Sequence, residues 1–129
     1  MQYLYCFANV SLVLRVIHRL AQYSSPRTNG LTVLYMGDRW VLRILLNNDW
    51  PYDNRQDLLA FLDENGVRHQ PQPNLSAALV ALDKGQSVTQ VMNQYHVVIV
   101  SHGKPEIQEL HVFRERFVEG LGYCPQSLA

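Results

Sequence analysis

Five histidines are the first residues to weigh for metal or acid–base chemistry: His18, His69, His96, His102 and His111. A zinc site built on a helix draws ligands from positions three or four apart, which share one face. None of the five histidines stands in that relation to another, and neither H-E-x-x-H nor a Cys/His cluster occurs. His102 and His111 are the pair that a fold could bring together. No metal ligand set is therefore expected. Cys6 and Cys124 lie near opposite ends and form no C-x-x-C motif. Cys6 reads as a small hydrophobe within a strand, with a disulfide to Cys124 as the alternative.

Ser101-His102-Gly103-Lys104 follows an apolar run and invites comparison with a phosphate loop, but it lacks the spaced glycines of a Walker or dinucleotide motif. It reads as a turn into a helix begun by Pro105. Asp53, Asp57, Asp63 and Glu64 could position water or a cation. As residues of a short amphipathic segment they read as solvating groups, those at its N-terminal end complementing the helix dipole. Ser11, Ser76 and Ser87 fall at or near helix starts, where capping accounts for a hydroxyl. The expectation is a chain with no catalytic residue and no cofactor. An enzyme acting through His96 or His102 is the third reading.

The element that must organise any site is Leu31–Leu46, LTVLYMGDRWVLRILL, which reads as a β-hairpin turning at Gly37-Asp38. That register sets Tyr35 opposite Trp40, Val33 opposite Leu42 and Leu31 opposite Ile44 on one wholly apolar face. The other face carries Met36/Arg39, Leu34/Val41 and Thr32/Arg43. Before the hairpin, Gln2–Ala8 reads as a strand, and Asn9 caps a helix whose Val10, Val13, Leu14, Ile17 and Leu20 recur at helical spacing. Tyr23–Gly30 reads as turn chemistry around Pro26 and Asn29-Gly30.

Asp53 with Gln56 resembles a capping box opening a helix that stops at Asn65-Gly66. Asn74 can cap the next helix, and Ser87 with Gln90 opens another. His96–Val100 reads as a fourth strand, followed by a helix carrying Ile107, Leu110, Phe113 and Phe117 and a loose tail from Tyr123 to Ala129. The expected fold is α+β, a two-layer sandwich in which an antiparallel sheet of residues 2–8, 31–36, 39–46 and 96–100 carries helices mainly on one face.

At 129 residues the chain is expected to be one domain with a core of its own. Eleven basic and eleven acidic residues give a formal charge of zero with no basic run, which argues against a nucleic-acid or anionic-membrane binder. No signal peptide pattern and no apolar run of spanning length occurs, so a cytoplasmic protein is expected.

Three stretches carry a resemblance to a known family: YLYCFANVSLVLRVIHRL at 3–20, GLTVLYMGDRWVLRI at 30–44, and LSAALVALDKGQSVTQVMNQY at 75–95. Together they resemble the C-terminal domain of the MecA competence adaptors, which join substrates to the Clp unfoldase ClpC. The likeness pairs an aromatic strand and helix, a tight hairpin, and two helices about a charged turn, although Lys84 here precedes Gly85 where the family has Gly-Lys. Residues 1–95 form the MecA-like part of the single domain, and 96–129 add a strand, a helix and a tail.

What the resemblance implies is a non-catalytic adaptor or regulatory module, with a Clp-type unfoldase as partner. The alternative is a small-ligand-binding regulatory domain, since sandwiches of this size hold ligands between sheet and helices. Leu34, Met36, Arg39, Val41 and Arg43 on the outer hairpin face are the expected partner-binding residues, whether the partner is another protein or a second copy. The competing expectation is that the final helix covers that face through Phe113 and Phe117.

Overall fold

A computed structural model describes residues 2–23, 28–103 and 107–129, the side chains of Thr28 and Asn29 apart. The expected turn at Pro26 and the start of the last helix at Lys104-Pro105 lie outside the described residues.

The hairpin forms as its alternation requires. β2 (Thr28–Tyr35) and β3 (Trp40–Leu46) are antiparallel, and every pair named above is in register. Gly37 supplies the positive φ of the turn, at 87°. The Met36 amide donates to the Arg39 carbonyl at 2.8 Å and closes it. β1 (Gln2–Phe7) pairs with the free side of β3, β4 (Val67–Arg68) with β1, and β5 (Val98–Gly103) with β2. The resulting open antiparallel sheet has the order β4-β1-β3-β2-β5.

The last strand starts two residues later than the sequence suggests and runs three residues further, so Ser101, His102 and Gly103, expected as a turn, pair with β2 as strand. His96 takes a left-handed conformation (φ 55°) as the C-cap of α4 (Val88–Tyr95), so it ends a helix instead of opening a strand. The Ser87/Gln90 capping box at the start of α4 is present with both hydrogen bonds. Asn9 caps α1 (Val10–Ala21) by accepting from the Leu12 amide. Asp53 and Asn74 do not cap. α2 (Tyr52–Asn65) begins after Pro51, and α3 (Pro73–Asp83) begins at proline itself, whose fixed φ suits a first helical turn. The Asn74 amide instead donates to the Tyr95 carbonyl at 2.6 Å, tying α3 to the end of α4.

Helices cover both faces of the sheet. α1, α2 and α5 (Ile107–Leu121) pack on the face made by Tyr5, Phe7, Val33, Tyr35, Trp40, Leu42 and Ile44, where the sequence places α1 alone. α3 and α4 form a smaller layer on the other face, where Leu75, Ala78, Leu79 and Val91 bury Leu34, Val41 and Ile99. Neither expectation for that face holds. It is covered, and the cover is α3 and α4. Phe113 and Phe117 lie on the opposite face, edge-on to Tyr35 at 5.4 and 5.3 Å.

The tail is docked, contrary to the loose end expected. A 3-10 turn (Gln126–Leu128) buries Leu128 completely in the main core. Trp40 Nε1 donates to the Ser127 carbonyl at 2.7 Å, and Ser127 Oγ donates to the Gly37 carbonyl at 2.9 Å. Arg114 Nε donates to the Leu128 carbonyl at 2.7 Å, and Ser11 donates to the Ala129 carbonyl. Both cysteines are unpaired, so the disulfide alternative does not apply.

Candidate protein-binding groove

The fold separates the five residues expected to bind a partner. Leu34 and Val41 are fully buried under α3 and α4, and Arg43 is 1% exposed. These three are interior residues, and a partner surface composed of them is ruled out by their burial. Met36 is 40% exposed, and Arg39 is exposed beside it on the hairpin turn. Those two line open clefts.

Arg43 has a structural role. Its Nη1 donates to Asp83 at 2.9 Å and its Nη2 to Thr32 Oγ1 at 3.3 Å. Thr32 in turn meets His102 Nδ1 at 2.8 Å. Because the Thr32 oxygen already accepts from a guanidinium, its own proton is available to Nδ1, which suits a neutral His102. Burial pushes the His102 pKa below its usual 6.5, the Arg43 charge adds to this, and Asp83 opposes it. Burial and the Arg39 charge lower His69 in the same direction.

A consequence for pH dependence follows. Between the lowered values and about 6.5, the unfolded chain binds more protons than the folded one, so stability rises with pH across that window. Thermal unfolding midpoints are expected to be highest above about pH 6.5 and to fall toward about pH 5. Replacing both His69 and His102 by Gln should flatten the slope. An undiminished slope in that double variant contradicts the assignment.

Three clefts adjoin through shared lining residues, the second and third bordering the exposed turn of the hairpin. The first, about 540 Å³, lies between β5 and α5 and is lined by Val100, Gln108, Glu109, Val112, Phe113, Arg116 and Phe117. Phe117 also lines the second, about 500 Å³, with Met36, Gln72, Leu75, His96 and Val98. Met36, Gln72 and Leu75 carry on into a third of about 390 Å³ that includes Asp38, Arg39 and His69. The shared residues make one groove that follows β5, passes the hairpin turn and ends beside the segment after β4.

Two features mark this groove. Val98, Phe117 and Met36 expose 42%, 36% and 40% of their surface, and Leu121 extends the apolar stripe of α5 by one turn at 41%. Alongside runs a sheet edge: among the described residues, β5 has a strand neighbour only in β2, so its outer backbone groups face away from the sheet. The opposite edge, β4, is two residues long. A register shift makes Val100 the extra residue of a bulge in β5 and packs it on the α5 side, at the floor of the groove.

His96 lines the second cleft, and His102 on β5 is exposed as a residue while its ring is partly desolvated where Nδ1 meets Thr32 in the Arg43 network. Among the described residues, no group of three or more His, Cys, Asp or Glu side chains is placed to hold a metal ion. No described helix is long and apolar enough to cross a membrane. Sequence reasoning missed Val98 and Phe117 as site residues. The available signal was the recurrence of Phe117 and Leu121 four apart, beside the positions Ile107, Leu110, Phe113 and Val118 by which the helix packs on the core. Comparison of the chain with family profiles, curated proteins and solved structures finds no match.

Proposed function

We propose that this chain is a non-catalytic adaptor or regulatory module that holds a protein partner in the groove between β5 and α5. The observation that carries the reading is the coincidence of an unpaired edge strand with exposed Val98 and Phe117 along one continuous groove. A polypeptide segment added beside β5 satisfies the strand's outer backbone groups, while pockets beside it take its side chains. Met36 and Arg39 extend the contact round the hairpin turn, an apolar anchor next to an arginine.

The resemblance of residues 3–95 to the MecA domain makes a Clp-type unfoldase the partner of first interest. That stretch holds β1 through α4 and lines much of the second and third clefts, whereas the first cleft is built from β5 and α5.

Co-purification from a native extract, with wild type and with the Val98→Asp/Phe117→Asp variant side by side, tests the reading. Both side chains are over a third exposed, so the variant is expected to keep its fold, with circular dichroism as the check. A protein partner that is retained by wild type and lost by the variant is the expected result. Partners retained equally by both, or a bound metabolite alone, contradict it, and the metabolite favours a ligand-binding domain.

A further inference from the structure

We propose that the groove is occupied by a second copy of this chain, docked antiparallel about a two-fold axis beside β5. This rests on the protein-binding reading above and names its partner. Glu109, Val112, Phe113 and Arg116 are the α5 residues that face the groove and matter here. Glu109 and Arg116 are seven residues apart, so they sit two turns and about 10 Å apart on one stripe, with the two apolar residues between them.

A stripe that reads acid, apolar, base has unlike ends. Laid antiparallel on its own copy about an axis near Val112, it sets Glu109 beside the other copy's Arg116 at both ends and apolar side chains against each other in the middle. A parallel arrangement sets Glu109 against Glu109.

The strand obeys the same symmetry. Ser101 Oγ donates to Glu109 at 3.3 Å, which places the start of α5 beside the second half of β5. Val98 and Phe117 line one cleft, which places the later part of α5 beside the start of the strand. Helix and edge strand therefore run antiparallel to each other. One axis can bring two copies of β5 edge to edge in antiparallel sense while it pairs the two α5 stripes. The same docking covers Val98 and Phe117, two of the exposed large apolar side chains.

The test is sedimentation of wild type, Glu109→Arg, Arg116→Glu and the double reversal. Glu109 and Arg116 are both exposed, so the fold is expected to survive each change. Wild type should sediment at twice the 14.9 kDa of one chain. Each single reversal places like charges opposite each other twice and should give monomers, and the double reversal should restore the dimer. A monomeric wild type, a dimer that either single reversal leaves intact, or a double reversal that stays monomeric overturns the inference. If wild type is monomeric yet captures another protein through Val98 and Phe117, the second copy is excluded and the protein-binding reading stands. Capture indifferent to those two residues removes that reading itself.

Discussion

A chain carrying Leu34→Asp together with Val41→Lys is expected not to fold. Leu34 and Val41 are cross-strand neighbours one pair in from the turn end of the hairpin, both with no exposed surface, packed beneath Leu75, Ala78, Leu79 and Val91. The two new charges could pair with each other across the strands, but the apolar pocket around them offers no further hydrogen-bond partners. Desolvating even a paired ion costs several kcal/mol when its remaining polar atoms go unsatisfied. Domains of this kind have only about 5–15 kcal/mol of total stability. Circular dichroism and a urea titration should show an unfolded chain without a cooperative transition. A variant that folds and loses only an interaction would mean that α3 and α4 do not cover this face.

Trp40→Ala should be the most damaging single truncation, at roughly 3–5 kcal/mol. Trp40 is fully buried, meets Tyr35 at a tilt at 5.0 Å and Phe113 edge-on at 5.7 Å, and holds the tail by its hydrogen bond to the Ser127 carbonyl. Its loss opens a cavity and removes the donor that fixes the last residues over the hairpin turn. Two readouts should move together: the denaturant midpoint falls, and residues 125–129 become protease-sensitive in the native state. An unchanged midpoint would contradict the packing described for the aromatic cluster. A lowered midpoint with a protected tail would show that Leu128 alone holds the end in place.

The hairpin from Leu31 to Leu46 is legible because its information is local, whereas residues 28–30, which read as turn, extend β2 across a register shift. Two apolar runs around Gly37-Asp38 allow one two-residue turn, and a slip of one residue would turn Trp40, Leu42 and Ile44 away from the core. α1 was legible for a similar reason, with the Asn9 cap and the spacing of its apolar residues pointing the same way. The covering of the second face was not. Buried Leu75, Ala78, Leu79, Ala81 and Leu82 and half-exposed Val80 leave α3 apolar nearly all round, so its sequence does not say which face of a sheet it will meet.

β4 has two residues and no pattern to read. The docked tail depends on partners about ninety positions away, Gly37 and Trp40, which no local signal announces. His96 was misplaced because a helix C-cap and the first residue of an apolar strand look alike when the cap is not glycine. The outer hairpin face, which the sequence offers as the interaction surface, is covered by α3 and α4, and only Met36 and Arg39 at its turn end reach the second and third clefts.

Amide hydrogen exchange along β5 tests the central claim most directly. It is to be measured in dilute solution, and again with the docked protein present, a concentrated second copy included. Amides of β5 and of the groove side of α5 should exchange more slowly on docking, while those of β4 at the opposite edge keep their rates. Protection confined to α1, α2 or β4, with β5 unchanged, would contradict the account.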